Sequence, residues 1–302
     1  MPVHHQHSGE PHHGHSMAED LDAMHRQIAR RRALKWFAGA GTAVLVTGCG
    51  GGSDDAGSVS VVTGSSVTPT PSSTPTTAAT SSSACLVDPT ETAGPYPGDG
   101  TNTSAGSTSN VLVSSGIVRS DIRSSFLTTT TVAAGVLVKL TLTVVNVNAS
   151  CAPLAGYSVY LWHCDRNGNY SLYSGAAGES YLRGVQVTDV NGQVTFTTIY
   201  PACYDGRWPH MHFEVFSSLA NATSGRYAVL TSQLAMPAAI STSVFADTTT
   251  YPSSATRFAR VSLSNDNVFS DNTAAQIAQQ TPSFVGSPST GYAATALIGV
   301  AR

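Results

Sequence analysis

The sequence predicts an all-β protein whose main domain is an antiparallel or mixed β-sandwich with long loops. From Cys85 onward, short runs of β-favouring residues are separated by turn residues, a spacing typical of a sandwich or barrel. In residues 136–144, apolar side chains at every second position alternate with mostly polar ones, so one face of a strand can be buried. The sequence contains no internal repeat and no convincing long amphipathic helix.

The remaining elements follow from the same periodicities. Further strands are predicted at residues 157–164, 210–216 and 227–234. Asn191-Gly192 predicts a β-hairpin with residues 193–199 as its return strand, because Asn-Gly readily adopts the positive φ angles of a tight turn. A short helix is predicted at residues 273–280.

The charge balance disfavours nucleic acid as a partner. With 15 Lys and Arg against 18 Asp and Glu in 302 residues, the net charge is -3, and no basic surface for nucleic acid is expected. Charged residues make up 11% of the chain while Ser, Thr, Gly and Val are abundant. This composition is typical of β-rich exported proteins.

The N-terminal residues 1–48 are predicted to be an export signal of the twin-arginine and lipoprotein type, with a His-rich leader. Arg30 and Arg31 precede a modest apolar run at residues 36–46, which is too short to span a bilayer. The four residues ending at Cys49 resemble a bacterial lipobox, in which the cysteine is lipidated. We therefore expect a periplasmic or cell-surface protein that meets the membrane only through a lipid at Cys49; an ordinary membrane anchor with a chance cysteine is the alternative.

A linker and one domain complete the predicted organisation. Residues 49–84 are rich in Ser, Thr, Gly and Pro and show neither helical nor strand periodicity, which indicates a flexible tether. Residues 85–302 form the predicted folded domain, a size that suits one domain.

Two pairs of residues suggest a metal site. His210 and His212 lie two apart on a predicted strand, so both imidazoles project from one face roughly 7 Å apart and can converge on one ion. Tyr170 and Tyr204 follow turn-rich segments, and a hard trivalent cation lowers the pKa of a phenol enough to hold it as phenolate. Two phenolates and two imidazoles suit ferric iron better than zinc, and ligand chemistry leaves copper open.

Several ordered motifs resemble the intradiol ring-cleavage dioxygenases, the family of the protocatechuate and catechol dioxygenases. The longer matches are residues 159–170 (VYLWHCDRNGNY), 188–193 (TDVNGQ), 198–204 (TIYPACY) and 207–213 (RWPHMHF). Shorter ones lie at residues 92–96 (TAGPY), 119–121 (RSD) and 230–233 (LTSQ). Together they span most of residues 85–302, and the resemblance implies that this domain is catalytic.

The resemblance implies a site and a reaction. It implies an Fe(III) cofactor with Tyr170 and His210 as equatorial ligands and Tyr204 and His212 as axial ligands. A catechol substrate would displace Tyr204, which makes this residue catalytic as well. Both atoms of O2 would then enter a muconate-type diacid, formed by cleavage between the two hydroxylated carbons.

Three further residues receive roles from the resemblance. Arg207 is the predicted catalytic cation, because a planar and permanently charged guanidinium can stabilise the carbanion-like ring that oxygen attacks. Gln233 and Tyr96 are predicted to bind substrate.

Cys164 and Cys203 each lie near a predicted ligand in sequence, so a disulfide between them would brace the site.

The sequence leaves several points open. Cys85, Cys151, Cys164 and Cys203 allow three disulfide pairings. The loop from Tyr204 to Arg207 is much shorter than usual for the family, and the helical N-terminal region of catechol dioxygenases is absent, so neither their substrate preference nor their dimer mode is implied. A homo-oligomer remains open. The alternative functions are a non-catalytic, surface-tethered protein that captures catechols or iron, and a copper oxidase that uses the same ligands.

Overall fold

The computed structural model describes residues 85–104 and 106–302. The predicted export signal at residues 1–48 and the linker at residues 49–84 lie outside the described residues, and both stay predictions. Within the described ranges, no helix is long and apolar enough to cross a membrane.

The described chain is built mainly from strands. They are β1 (Asp99–Ser104), β2 (Ser107–Asn110), β3 (Leu137–Asn146), β4 (Ala152–Pro153), β5 (Ser158–Trp162), β6 (Arg183–Val187), β7 (Gln193–Ile199), β8 (His210–Phe216), β9 (Leu230–Ala235), β10 (Ser283–Ser287) and β11 (Gly291–Val300). Helices are few and short: α1 (Ala238–Phe245), α2 (Ser254–Phe258) and α3 (Ala274–Gln280).

Two open sheets carry the fold. One has the order β10-β11-β3-β4, with β7 also paired to β3, and the other has the order β6-β5-β8-β9. The pairing of β11 with β3 is parallel and the other pairings in these sheets are antiparallel. Strands β1 and β2 form a separate two-stranded ribbon. The predicted fold class, an all-β mixed sandwich, is confirmed.

The apolar face of β3 matches the alternation in the sequence. Val138, Leu140, Leu142 and Val144 are buried in the main core cluster, whereas Leu137 is 40% exposed. The same cluster contains residues of the other sheet, so the hydrophobic core joins both sheets. Burial of one face per strand explains why a period of two was visible in the sequence.

The predicted hairpin at Asn191-Gly192 is wrong, although the turn exists. Gly192 has φ +72°, and the Asp189 carboxylate accepts hydrogen bonds from the backbone N–H groups of Asn191 and Gln193. The flanking strands belong to different sheets, because β6 pairs with β5 and β7 pairs with β3. Turn chemistry specifies a reversal of the chain, but burial of Val194 and Phe196 decides which sheet the next strand joins.

The predictions for the other elements were mostly confirmed. Strands form within residues 157–164 and at residues 210–216, and α3 begins after Thr273, which forms a capping box with Gln276. The strand predicted at residues 227–234 begins only at Leu230, because Gly225–Tyr227 form a short 3-10 helix. Helices α1 and α2 were not predicted.

The four cysteines, whose pairing the sequence left open, form one disulfide. Cys85 and Cys151 form a disulfide, which ties the start of the domain to the turn after β3. Cys164 and Cys203 are buried free thiols, so a bridge between them is not formed. The Cys164 Sγ donates toward the carbonyl of Ala202 at 3.7 Å, and the Cys203 Sγ faces the carbonyls of Tyr204 and Arg207.

Candidate metal centre

Strand β8 places the two histidines. His210 and His212 lie on one face of the strand, while Met211 and Phe213 on the opposite face belong to the core cluster. The two Nε2 atoms are 3.1 Å apart, and both side chains are buried. The imidazoles therefore converge as the sequence predicted.

A tight turn delivers Tyr170. The Asp165 carboxylate accepts hydrogen bonds from the backbone N–H groups of Asn167 and Asn169, at 2.8 and 3.0 Å. Gly168 has φ +94° in this turn, and a Cβ there would lie 3.1 Å from the Cβ of Tyr204. The turn thus packs the two tyrosine segments closely together.

A second turn delivers Tyr204 and Arg207. The backbone N–H of Arg207 donates to the carbonyl of Tyr204 at 3.4 Å, and Gly206 between them has φ +76°. The short loop noted in the sequence is therefore a single turn, and it brings a phenol and a guanidinium to the same side of β8.

The tips of the four predicted ligands form one cluster. The Tyr170 Oη lies 3.4 Å from the Tyr204 Oη, 3.3 Å from the His210 Nε2 and 3.2 Å from the His212 Nε2. The Tyr204 Oη lies 3.0 Å from the His210 Nε2. The structure brings all four side chains together; the ion that they hold stays a prediction.

Burial controls the protonation of these groups in the metal-free protein. Desolvation lowers the pKa of His210 and of His212 well below the usual value, and the neighbouring Arg207 charge lowers both further. Desolvation raises the pKa of Tyr170 well above its usual range and that of Tyr204 to about 12. Two neutral imidazoles and two neutral phenols therefore face one another.

The tautomer of His210 leaves its Nε2 lone pair free to bind a cation in the cluster. Its Nδ1 lies 2.5 Å from the carbonyl of Trp208, an acceptor only, so the proton sits on Nδ1 and the Nε2 lone pair points into the cluster. The His212 ring stacks on Trp162 at 4.9 Å, and its Nδ1 has no hydrogen-bond partner. Two phenol oxygens and two imidazole nitrogens gathered at 3.0 to 3.4 Å are a donor set suited to ferric iron.

The tyrosines are essential to any such centre. In the described part of the chain, no three His, Cys, Asp or Glu side chains gather in a group that could hold a metal. The third histidine there, His163, is engaged elsewhere: its Nε2 lies 2.7 Å from the Thr198 Oγ1 and its Nδ1 lies 2.8 Å from the Cys164 carbonyl.

Arg207 lies beside the cluster. Its Nη1 is 3.4 Å from the His210 Nε2, and its Nε donates to the Asp266 Oδ2 at 2.9 Å. The side chain is 1% exposed, so its ion pair with Asp266 is buried and is not a surface salt bridge. Attraction from the Asp266 carboxylate keeps the pKa of Arg207 above its usual value in spite of desolvation.

The two predicted substrate-binding residues lie close by. Gln233 is fully buried and accepts a hydrogen bond from the Arg207 Nη2 at 2.7 Å, while its own Nε2 donates to the Thr92 carbonyl at 2.9 Å. The Tyr96 ring lies 5.0 Å from the Tyr170 ring. Both positions are compatible with substrate contacts, which stay a prediction.

Sequence reasoning missed four residues that shape the site. Asp266, Trp162 and Arg183 contact predicted site residues directly, and a Cβ at Gly94 would lie 3.3 Å from the His212 Cε1. Trp162 and Gly94 fall within the matching motifs, which was their only signal. Nothing in the sequence marks Asp266, which is 59 residues away from Arg207.

Fold and site together define a class: a mixed β-sandwich with a buried group of two phenols and two imidazoles beside a guanidinium. Residues 126–221, which include the four predicted ligands and Arg207, match the family model described as "Dioxygenase".

Two dioxygenases are among the solved structures that this chain resembles. An intradiol ring-cleavage dioxygenase from Tetranychus urticae is 23% identical, with a TM-score of 0.53 over 72% of this chain and 95% of that one. Catechol 1,2-dioxygenase from Pseudomonas arvilla C-1 is 19% identical, with a TM-score of 0.43 over 70% of this chain and 61% of that one. The chain has the fold of intradiol ring-cleavage dioxygenases, and the resemblance predicted from the sequence is confirmed.

Proposed function

We propose that the protein is a non-haem ferric dioxygenase that inserts both atoms of O2 into a catechol and cleaves the ring between the hydroxylated carbons. The observation that carries the proposal is the convergence of Tyr170, Tyr204, His210 and His212 on one buried point beside Arg207. The matched dioxygenase segment and the shared fold support it.

Tyr170, Tyr204, His210 and His212 would hold the iron. When bound, Fe(III) supplies the positive charge that keeps the phenols ionised and the redox capacity that makes a chelated catechol reactive toward O2. The residues around it contribute separate functions.

Tyr204 is the proposed proton acceptor during substrate binding. Away from a cation, burial raises its pKa to about 12, so a Tyr204 phenolate displaced by catechol takes up a proton at Oη. One of the two catechol hydroxyls that ionise on binding would supply that proton, and the proton of the other would leave to solvent.

Arg207 would stabilise the reacting ring. Its buried ion pair with Asp266 fixes the orientation of the guanidinium, and the Gln233 amide accepts from the other end of the fork. A fixed positive charge in a water-excluded site stabilises negative charge that develops on the ring as O2 attacks. Gln233 and Tyr96 would form the adjoining walls of the substrate pocket.

The test is a metal and turnover assay on the purified full-length chain. We expect one iron per chain, a burgundy-red tyrosinate-to-iron absorption, and consumption of O2 with formation of a muconate-type diacid from members of a catechol panel. A colourless protein without iron would overturn the proposal. Binding of catechol without O2 consumption would instead support a capture protein, and copper in the metal analysis would support an oxidase.

We also propose that the protein is exported and lipid-anchored at Cys49, on the evidence of the sequence alone. A Cys49→Ala variant should move from the membrane fraction to the soluble exported fraction. If the variant and the parent chain fractionate identically, the anchor is wrong. Catechol and O2 are the proposed small-molecule partners, nucleic acid is not one, and size measurement in solution will show whether copies associate.

A further inference from the structure

Arg183 on β6 is a buried cation that uses every N–H group it has. The side chain is 1% exposed. Its acceptors are neutral oxygens: Ser171 Oγ at 2.9 Å from Nε, Pro97 O and Tyr160 Oη at 2.7 and 2.9 Å from Nη1, and Tyr96 O and Ser171 O at 2.9 and 2.8 Å from Nη2. A guanidinium has five N–H donors, and all are satisfied.

Four of the five acceptors belong to two segments that form the candidate site. Tyr96 and Pro97 lie in the N-terminal segment, and the Tyr96 ring faces the Tyr170 ring at 5.0 Å. Ser171 directly follows Tyr170. One guanidinium therefore joins the backbone of the predicted substrate-binding residue to the backbone beside a predicted ligand.

A second connection runs through stacked rings. The Tyr160 Oη that accepts from Arg183 also donates to the Pro97 carbonyl at 2.7 Å. The Tyr160 ring stacks on Trp162 at 4.8 Å, and Trp162 stacks on the His212 ring at 4.9 Å and 8°. Arg183 is thus connected to Tyr170 through Ser171 and to His212 through the stacked rings of Tyr160 and Trp162.

Neighbouring residues pack closely around the Arg183 side chain. A Cβ at Gly98 would lie 3.0 Å from the Arg183 Nη1, and Gly98 has φ +62°. The Gly98 N–H donates to the Tyr173 Oη, whose ring lies 5.5 Å from the Arg183 Cζ. A lysine has three donors on one atom and cannot address acceptors in these five directions.

Charge pairing does not explain why an arginine is buried here. Among the ion pairs of the described residues, none involves Arg183. Burial of a cation with only neutral partners is costly, and an apolar residue of similar size would avoid that cost. The five directed bonds are what distinguishes arginine at this position.

We propose that Arg183 is a positioning residue: its hydrogen bonds fix the N-terminal segment carrying Tyr96 against the turn carrying Tyr170, and so set the width of the substrate pocket. The positional claim stands on the contacts alone. Its consequence for catechol binding rests on the proposed function.

Hydrogen exchange tests the positional claim without iron or turnover. In Arg183→Lys we expect faster amide exchange in peptides from residues 92–104 and 168–174, with exchange in β3 and β7 unchanged. The matched control is Arg119→Lys, since Arg119 also donates to backbone carbonyls, those of Ser124, Ile122, Ser180 and Arg183. The control should leave residues 92–104 at the parent rate.

Two exchange results would overturn the positional claim. Exchange at parent rates in both segments of Arg183→Lys would show that the bonds fix nothing, and uniformly faster exchange throughout would show a purely structural role. If the protein turns over catechols, Arg183→Lys should raise KM about tenfold while kcat changes less than about threefold, because misplacing the pocket wall weakens binding before chemistry. An unchanged KM would separate Arg183 from the pocket while leaving the dioxygenase proposal intact.

Discussion

Arg207 and Asp266 form an ion pair in the protein interior, with the Nε donating to the Oδ2 at 2.9 Å and both side chains at most 1% exposed. The same carboxylate oxygen accepts from the Trp208 backbone N–H at 2.7 Å. The pair therefore fixes both the guanidinium beside the candidate centre and the chain just before β8.

Removing Asp266 should be strongly destabilising. Asp266→Ala leaves Arg207 as an uncompensated buried charge, which costs about 3–5 kcal/mol, and should abolish turnover in the enzyme as proposed. Urea unfolding followed by fluorescence measures the loss. Asp205→Ala is the control, because this 58% exposed carboxylate pairs with Arg257 and Arg260 at the surface and should contribute no more than about 1 kcal/mol. Equal losses in the two variants would contradict the role of the buried pair.

Removing the Tyr170 hydroxyl should remove colour, iron and turnover together. Its Oη lies within 3.4 Å of the other three tips, so Tyr170→Phe deletes the atom that contacts them all. Visible absorption and metal analysis read out the loss. Tyr292→Phe, in the other sheet, changes a buried tyrosine away from the centre and should keep both. Full iron content in Tyr170→Phe would show that the phenol is not a ligand.

Adding a methyl group at Gly94 should disturb His212. Gly94 has φ +72°, so Gly94→Ala costs about 1–2 kcal/mol in backbone strain, and the new Cβ would lie 3.3 Å from the His212 Cε1. Gly106→Ala provides a matched control, since Gly106 has φ +80° and nothing within 4 Å of the added Cβ. We expect similar unfolding free energies but weaker iron retention only in Gly94→Ala, measured by competition with a chelator. Equal retention would mean that His212 moves aside freely or does not bind metal.

Asp88 should make the fold less stable as pH rises toward neutrality. Burial raises its pKa from 3.8 to about 7, so between these values the folded chain holds a proton that the unfolded chain has released. Its stabilising contribution is complete below about pH 4, falls by up to about 4 kcal/mol as pH rises to 7, and then stays constant.

The Asp88→Asn variant tests this pH dependence. An amide oxygen in place of Oδ2 can still accept from the Gly299 N–H and from Gln279, while the position of Oδ1 has no partner to lose. The urea midpoint should therefore fall less, relative to the parent chain, between about pH 4 and 7, because the variant lacks the declining contribution of Asp88. A slope identical to that of the parent chain would assign the pH dependence to other groups.

Local patterns predicted much of the fold. The alternation in residues 136–144 predicted β3, and the His-x-His pattern in residues 210–216 predicted β8. Both patterns are visible because burial of one strand face imposes a period of two. The capping box at Thr273 likewise fixed the start of α3. The Asn191-Gly192 turn was recognised, but its placement between two sheets depends on contacts remote in sequence.

In the candidate site, too, some residues were predicted from local patterns and others depend on contacts remote in sequence. Tyr170, Tyr204, His210, His212 and Arg207 were predicted because they sit in motifs whose order carries information. Asp266, 59 residues from its partner Arg207, and Arg183, whose acceptors lie up to 87 residues away, belong to no such local pattern.

By itself the sequence determined the class of fold, the donor atoms available for a metal and the short turn that joins Tyr204 to Arg207. The tertiary structure alone decided that the Tyr204, His210 and His212 tips lie within 3.4 Å of the Tyr170 Oη, and that Cys85 pairs with Cys151. It also decided that Asp266 and Arg183 form hydrogen bonds with residues of the candidate site. Side-chain periodicity and turn preference act over a few residues and are readable from the chain. Convergence of distant groups depends on how the two sheets pack and on which buried polar groups must find partners, and these are properties of the whole fold.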